Sequence, residues 1–184
     1  KPLRCPFPYF GGKFPVVEVV NQKFGEIVSL REPFAGSAAL TLARQPVEHE
    51  AINDVNHYIV NFWRAVKANP ESVAEHATHP ITEADLHARS VYLFQGEKTK
   101  GAKHQITSDP EYFDARLAGW YAWGRSSQIA NAFETCQKSK PSMRGNGICT
   151  PIYRTQRARQ LATLDWLIAI SERLHNVRIL HGDW

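Results

Sequence analysis

Leu30-Arg31-Glu32-Pro33-Phe34-Ala35-Gly36-Ser37-Ala38 is the stretch whose reading decides the fold. Just ahead of it, Ile27 and Val28 join Leu30 in an apolar run that predicts a buried strand over residues 27–30. Pro33 and Gly36 interrupt that run. Residues 38–44 are mostly small and apolar; they predict a helix packed on the sheet, ended by Pro46. A glycine turn between strand and helix lets backbone N–H groups at the helix start approach a ligand. Gly36 carries no side chain to obstruct that approach. For one glycine alone, a packed turn without a ligand is the simpler account.

The flanking blocks change the odds. Upstream, Tyr9-Phe10-Gly11-Gly12-Lys13 offers an aromatic, two glycines and a cation, a set suited to a ligand with an aromatic base and an anionic end. Downstream, a second strand-like run over residues 50–53 leads to Asp54, which follows Gly36 by 18 residues. An acid about 20 residues past a glycine turn can accept hydrogen bonds from ribose hydroxyls. Glu32 adds a carboxylate at the first strand's end. Residues 177–180 predict a third strand with Asp183 just beyond it. In open parallel sheets, ligands sit outside the carboxyl ends of the strands. Three acids after three strands are hard to explain by packing, because a buried unpaired carboxylate is costly.

Between these blocks the pattern is largely helical. Residues 14–24 carry Val16, Val17, Val19, Val20 and Phe24 and predict a helix. Asp54 or Asn56 caps another, with Ile59, Phe62, Trp63 and Val66 at helical spacing and Asn69-Pro70 at its close. Residues 70–105 read as polar and broken, with a short helix over 82–94 capped by Thr82 and an exposed loop over 95–105. Asp109-Pro110-Glu111 reads as a helix start for Phe113, Leu117, Trp120 and Tyr121. Residues 155–174 give the longest helix, with Leu161, Leu164, Leu167, Ile168 and Leu174 on one face and Arg157, Arg159, Glu172 and Arg173 off it.

With 184 residues, 43% of them hydrophobic, the chain suits one domain, or one domain with a large insertion. No run approaches the ~18 apolar residues of a membrane span, and the start lacks the apolar core of a signal peptide. The first residue is not Met, which reads as trimming or processing. Three widely spaced cysteines, Cys5, Cys136 and Cys149, argue for a reducing, cytoplasmic setting. His76 and His79 lack the partners of a metal site, so no metal is expected. The formal charge is +4, unevenly spread: residues 96–160 carry a net +6 and the remainder a net −2. A basic segment beside an acidic half suits a phosphate backbone; a solvated lysine-rich surface fits charge alone equally well. Within that segment, Arg125, Gln128 and Asn131 are side chains able to bond base edges, although a buried helix ending in a capped turn is an equal reading of the first two. Lys138, Lys140, Arg144 and Asn146 lie in a long, basic, glycine- and proline-containing stretch.

Together and in this order, Pro8-Tyr9-Phe10-Gly11-Gly12-Lys13, Glu32-Pro33-Phe34-Ala35-Gly36-Ser37 and Asn53-Asp54-Val55-Asn56 resemble the Dam-like (D12 class) N6-adenine-specific DNA methyltransferases. The resemblance continues more loosely through residues 109–147 and returns at His181-Gly182-Asp183-Trp184. It implies a Rossmann-like α/β methyltransferase core at residues 1–69 and 155–184, interrupted by a largely helical target-recognition region at 70–154. The implied cofactor is S-adenosylmethionine, held by Tyr9, Gly11, Gly12, Lys13, Glu32, Pro33, Phe34, Gly36, Ser37, Asp54 and Asp183. The implied partner is double-stranded DNA, met by a monomer through Arg125, Gln128, Asn131, Lys138, Lys140, Arg144 and Asn146. Ala38 stands where the family has a second glycine. The family's catalytic Asp-Pro-Pro-Tyr motif, expected shortly after Asp183, does not occur before the last residue, Trp184. These residues alone are therefore expected to bind cofactor weakly at best and to methylate nothing. A dinucleotide-dependent oxidoreductase shares the strand–glycine–acid logic, but Gly36 lacks the G-x-G-x-x-G frame. A non-catalytic nucleic-acid- or partner-binding remnant, and an RNA substrate, are further readings.

Overall fold

The computed structural model describes residues 2–128, 132–138, 141, 147–149 and 155–184. Three strands, β1 (Ser29–Glu32), β2 (His49–Asp54) and β3 (Val177–His181), form a parallel sheet in the order β1-β2-β3. Glu32 pairs with Ile52, Ile52 with Ile179, and Asp54 with His181, so the carboxyl ends of all three strands lie at one edge. β1 starts two residues later than the apolar run predicts. Its pairing begins at Ser29 opposite His49, its inward positions are Leu30 and Glu32, and Val28 ahead of it is exposed.

Helices make up most of the rest. A short 3-10 turn (Phe14–Val16) leads into α1 (Val17–Phe24), where the valine-rich pattern places a helix. After β1 come α2 (Ala39–Ala43) and, past β2, α3 (His57–Ala68). The Asn56 side chain caps α3, accepting from the Tyr58 N–H at 2.9 Å. Ile59, Phe62, Trp63, Ala65 and Val66 are all buried, so α3 is enclosed on every side.

The polar stretch that reads as broken holds more helix than its composition predicts. α4 (Pro70–Ala77) uses Asn69 as its cap, and α5 (Glu83–Gln95) is capped by Thr82 as expected. Residues 97–108 form α6 (Glu97–Ser108) instead of an exposed loop. Gly96 merely separates two helices, and α6 is held by burial of Thr99 and Ile106. Arg64 of α3 also donates to the carbonyls of Ile106, Asp109 and Tyr112 at 3.0, 3.0 and 3.3 Å, partnering backbone oxygens in the last turn of α6 and just beyond it. Gly101 costs the helix about 1 kcal/mol, which these contacts offset.

Asp109 ends α6; it does not begin a helix. Its N–H donates to the Gln105 carbonyl at 2.8 Å. α7 (Ala115–Ser127) begins later, capped by Asp114, whose side chain accepts from Leu117 N–H at 2.9 Å. Asn61 of α3 exchanges two hydrogen bonds with the Asp114 backbone, at 2.9 and 2.7 Å, and so fixes where α7 starts. That contact is tertiary, which is why the Asp-Pro-Glu pattern misplaces the start. α8 (Gln156–Leu174) forms where predicted and is capped by Thr155, but its buried positions are Thr163, Leu167, Ile170 and Leu174, and Leu161 is exposed. Arg173, expected off the packed face, makes a two-pronged ion pair with buried Glu50 at 2.8 and 2.7 Å, joining α8 to β2.

The interior is continuous. Ile52 and Val177 of the sheet share one buried cluster with Trp63, Leu86, Tyr121 and Phe133, so the helices of 70–138 pack on the same core as the strands. The approach is close at Gly124, where a Cβ would lie 2.1 Å from the Phe133 ring. The result is a mixed α/β fold, mostly helical, around a small parallel sheet. Among the described residues no helix is long and apolar enough to cross a membrane.

Candidate functional site

The three sequence blocks meet at the carboxyl ends of the strands, around a cavity of about 310 Å³. Tyr9, Gly11, Gly12 and Lys13 form one wall; Phe34, Ala35 and Ser37 form the second; Asp54 and Val55 close the third. The volume sits at the lower end of the range for small-molecule sites, ~300–1,000 Å³.

The β1–α2 turn and the β2 acid build one another. Asp54 Oδ2 accepts the Gly36 N–H at 2.8 Å, and Oδ1 accepts the Asn56 N–H at 2.9 Å. Each carboxylate oxygen keeps lone-pair capacity for a ligand. Gly36 has φ 48°, and a Cβ there would lie 2.5 Å from the Tyr9 ring. The Gly36 carbonyl accepts from the Trp63 indole N–H at 3.0 Å. Tyr9 can lie flat against this turn only because residue 36 has no side chain. Burial, then the nearby Asp54 charge, pushes the Tyr9 phenol above its ordinary range, so it stays neutral. Ala38, where the resemblance expects a second glycine, adopts φ 47°, ψ 36°. The backbone thus keeps the left-handed conformation, at a cost of roughly 1–2 kcal/mol for an L-residue.

Lys13 and Glu32, expected as separate ligand contacts, are partners. Lys13 Nζ lies 3.3 Å from Glu32 Oε1 and also donates to the Phe34 carbonyl. Glu32 Oε2 accepts from the Thr41 N–H and hydroxyl at 3.2 and 2.9 Å. Both Glu32 oxygens are therefore engaged, and the residue is buried behind the cavity wall, outside its lining. Pro33 also stands behind the lining; its carbonyl accepts from Asn53 Nδ2 at 3.0 Å. The same amide group donates to the Gly182 carbonyl at 3.0 Å, so Asn53 straps together the ends of all three strands. The sequence reading assigns Asn53 no such task; a polar residue at the tip of an apolar strand was the only signal. Asp183 reaches the same sheet edge but is exposed, accepts from the Trp184 N–H at 3.0 Å, and does not line the cavity.

Ser37 differs from its neighbours. Its hydroxyl oxygen is buried and has no hydrogen-bond partner, although the residue lines the cavity. A buried polar atom without a partner needs an explanation, and a polar ligand in the cavity supplies one.

Of the residues expected to read DNA, Arg125, Gln128 and Lys138 are described, and the first two are buried. Arg125 is buried and pairs with Glu134 at 3.0 Å, while its other amino group donates to the Pro8 carbonyl at 3.4 Å. The Tyr121 hydroxyl joins the same Glu134 oxygen at 3.3 Å. Arg125 thus braces from behind the segment that carries Tyr9. Gln128 is buried too, at the C-terminal cap of α7. Lys138 is exposed. Asn131, Lys140, Arg144 and Asn146 lie outside the described residues. No group of three or more His, Cys, Asp or Glu among the described residues could hold a metal ion.

Fold and site define an α/β protein with a crevice at the carboxyl ends of a parallel sheet. Residues 9–142 match the D12 class N6 adenine-specific DNA methyltransferases, and the chain belongs to that family. The matched span takes in the Tyr9–Lys13 block, the Gly36 turn, Asp54 and every helix through α7. No curated protein resembles the chain closely enough to count as a match.

Proposed function

We propose that the crevice binds S-adenosylmethionine, and that the chain is the cofactor- and DNA-binding part of an enzyme that methylates N6 of adenine in DNA. The observation that carries this reading is the convergence of Tyr9, Gly12, Lys13, Ser37 and Asp54 on one cavity. The residues suit such a group. Asp54 keeps lone pairs for ribose hydroxyls. Lys13, with three N–H donors and two engaged, keeps one for a carboxylate. The Ser37 hydroxyl gains a partner. Tyr9 and Phe34 supply apolar surface, and Asp183 accepts from an adenine amino group at the rim. When bound, the cofactor's sulfonium supplies an electrophilic methyl group.

Adenine N6 is a weak nucleophile because its lone pair is delocalised into the ring. The target base must leave the duplex and be held in line with the methyl group. In this reading residues 70–154 carry the DNA contacts and residues 1–69 and 155–184 the cofactor. The Asp-Pro-Pro-Tyr motif does not occur in these 184 residues, so they transfer no methyl group on their own. Calorimetry with S-adenosylmethionine and with NAD tests the reading: binding of the first alone supports it, and binding of NAD instead sinks it. Asp54→Ala should weaken S-adenosylmethionine binding; unchanged affinity removes its assigned role. Transfer of tritiated methyl groups to duplex DNA by the chain alone would overturn the statement about activity. DNA binding with a salt slope but no cofactor binding points to a non-catalytic module.

A further inference from the structure

Two tips reach the crevice's sheet edge from strands distant in sequence: residues 33–37 after β1 and residues 182–183 after β3. Both hang on Asn53 and Asp54 of β2. The Ala35 N–H donates to the Asn53 carbonyl at 2.8 Å, and the Gly182 N–H to the Asp54 carbonyl at 3.3 Å. These bonds carry the sheet's backbone pairing past each strand end. The Asn53 side chain then adds a cross-brace. Its amide has two hydrogens to donate. One goes to the Pro33 carbonyl and the other to the Gly182 carbonyl, each at 3.0 Å. Pro33 has no N–H of its own with which to extend a ladder, so its carbonyl is the one main-chain group it offers, and the amide takes it. Asn53 is 7% exposed, so both bonds lie largely out of water. Losing them would leave two carbonyls short of a partner.

Asn53 does not line the cavity. It therefore acts on a ligand only through the two tips, and what it fixes is their separation. In the reading above, the tip after β1 supplies Phe34 and Ser37 to the cofactor, and the tip after β3 supplies Asp183 to the adenine amino group. One ligand spans both. A carboxylate distinguishes an amino group from a hydrogen atom only when it is held at hydrogen-bonding distance. We propose that Asn53 is a positioning residue that sets the distance between the two tips, and with it the preference of the crevice for a purine bearing a 6-amino group. This rests on the reading that places the nucleoside in the crevice.

The test compares S-adenosylmethionine with its 6-desamino analogue, in which hydrogen replaces the adenine amino group. Calorimetry gives the preference as the ratio of the two dissociation constants. Wild-type protein should favour the amino form about tenfold. Asn53→Ala should reduce that ratio to about twofold. Asp183→Ala should reduce it as far, and adding Asn53→Ala to that variant should change it no further. A merely structural part for Asn53 would weaken both ligands equally and leave the ratio alone. Glu50→Gln supplies the comparison: it loosens the ion pair with Arg173 near the other end of β2, and should leave the ratio at its wild-type value. If Asn53→Ala does not fold, Asn53→Ser replaces it with the same expectation, because one hydroxyl hydrogen serves only one carbonyl. Four results overturn the proposal: no preference in the wild type, an undiminished ratio in the Asn53 variant, a further fall on top of Asp183→Ala, or an equal fall in Glu50→Gln. Failure of the underlying reading looks different, because wild-type protein then binds neither ligand. Amide exchange in the unliganded chain decides in that case: the Asn53 variant should speed exchange of the Ala35 and Gly182 N–H groups together, and unchanged exchange at either overturns the proposal.

Discussion

The crevice and the C-terminal end of α7 each contain one carboxylate–cation pair, and the two pairs are built in opposite senses. In the crevice the acid is buried and the cation reaches solvent: Glu32 is 1% exposed and Lys13 34%. At the end of α7 the cation is buried and the acid reaches solvent: Arg125 is 7% exposed and Glu134 32%. The first arrangement offers a positive group to a ligand. The second consumes its positive group in bracing the backbone and turns a negative one outward. Residue type is therefore a poor guide to what a region presents; the more exposed partner decides it.

Each prediction tests that contrast, beginning with the one of largest effect. Arg125→Ala leaves Glu134 with the Tyr121 hydroxyl and takes a donor from the Pro8 carbonyl, and should cost about 3 kcal/mol of stability, read from urea denaturation. If stability is unchanged and only DNA affinity falls, the contrast breaks and Arg125 returns to a recognition role. Gly36→Ala puts a Cβ into the Tyr9 ring at a left-handed position. It should cost about 2 kcal/mol and weaken cofactor binding about tenfold in calorimetry. A neutral result would mean that Tyr9 is not fixed by the turn.

His57, the first residue of α3, adds a pH-dependent test. Burial first, then the charges of Lys103 and His181, lowers its pKa from 6.5 to about 4. The unfolded chain therefore takes up this proton at a higher pH than the folded one. The stability present above pH 6.5 should fall as pH drops toward 4. His57→Gln should lose less between about pH 7.5 and about pH 4.5 than wild type, by thermal melts; equal losses would put the acid sensitivity elsewhere. The smallest effect is expected at exposed Lys138. Lys138→Ala should reduce the logarithmic salt slope of DNA binding by about one, with only a few-fold loss of affinity. An unchanged slope removes Lys138 from the interface.

The crevice was legible because each of its parts is a short motif and the motifs stand at a characteristic spacing. A strand, a glycine turn and an acid at a fixed spacing constrain the backbone within a few residues, and Gly36 and Asp54 meet as that spacing predicts. Caps read well for the same reason, at Asn56 and Thr82. Misreadings arose where a distant residue settled the outcome. Asn61 moves the start of α7 from Asp109 to Asp114, Arg64 braces the end of α6, and Glu50 draws Arg173 inward. None of these partners lies within a helical turn of the residue it acts on.

By itself the sequence determined the strand–turn–helix unit, the acid that faces it and the family to which both belong, because hydrogen-bonding geometry and steric limits act between near neighbours. Only the tertiary structure decided which charges remain available. An ion pair's worth and direction depend on which partner loses its water, and burial depends on every element packed around it.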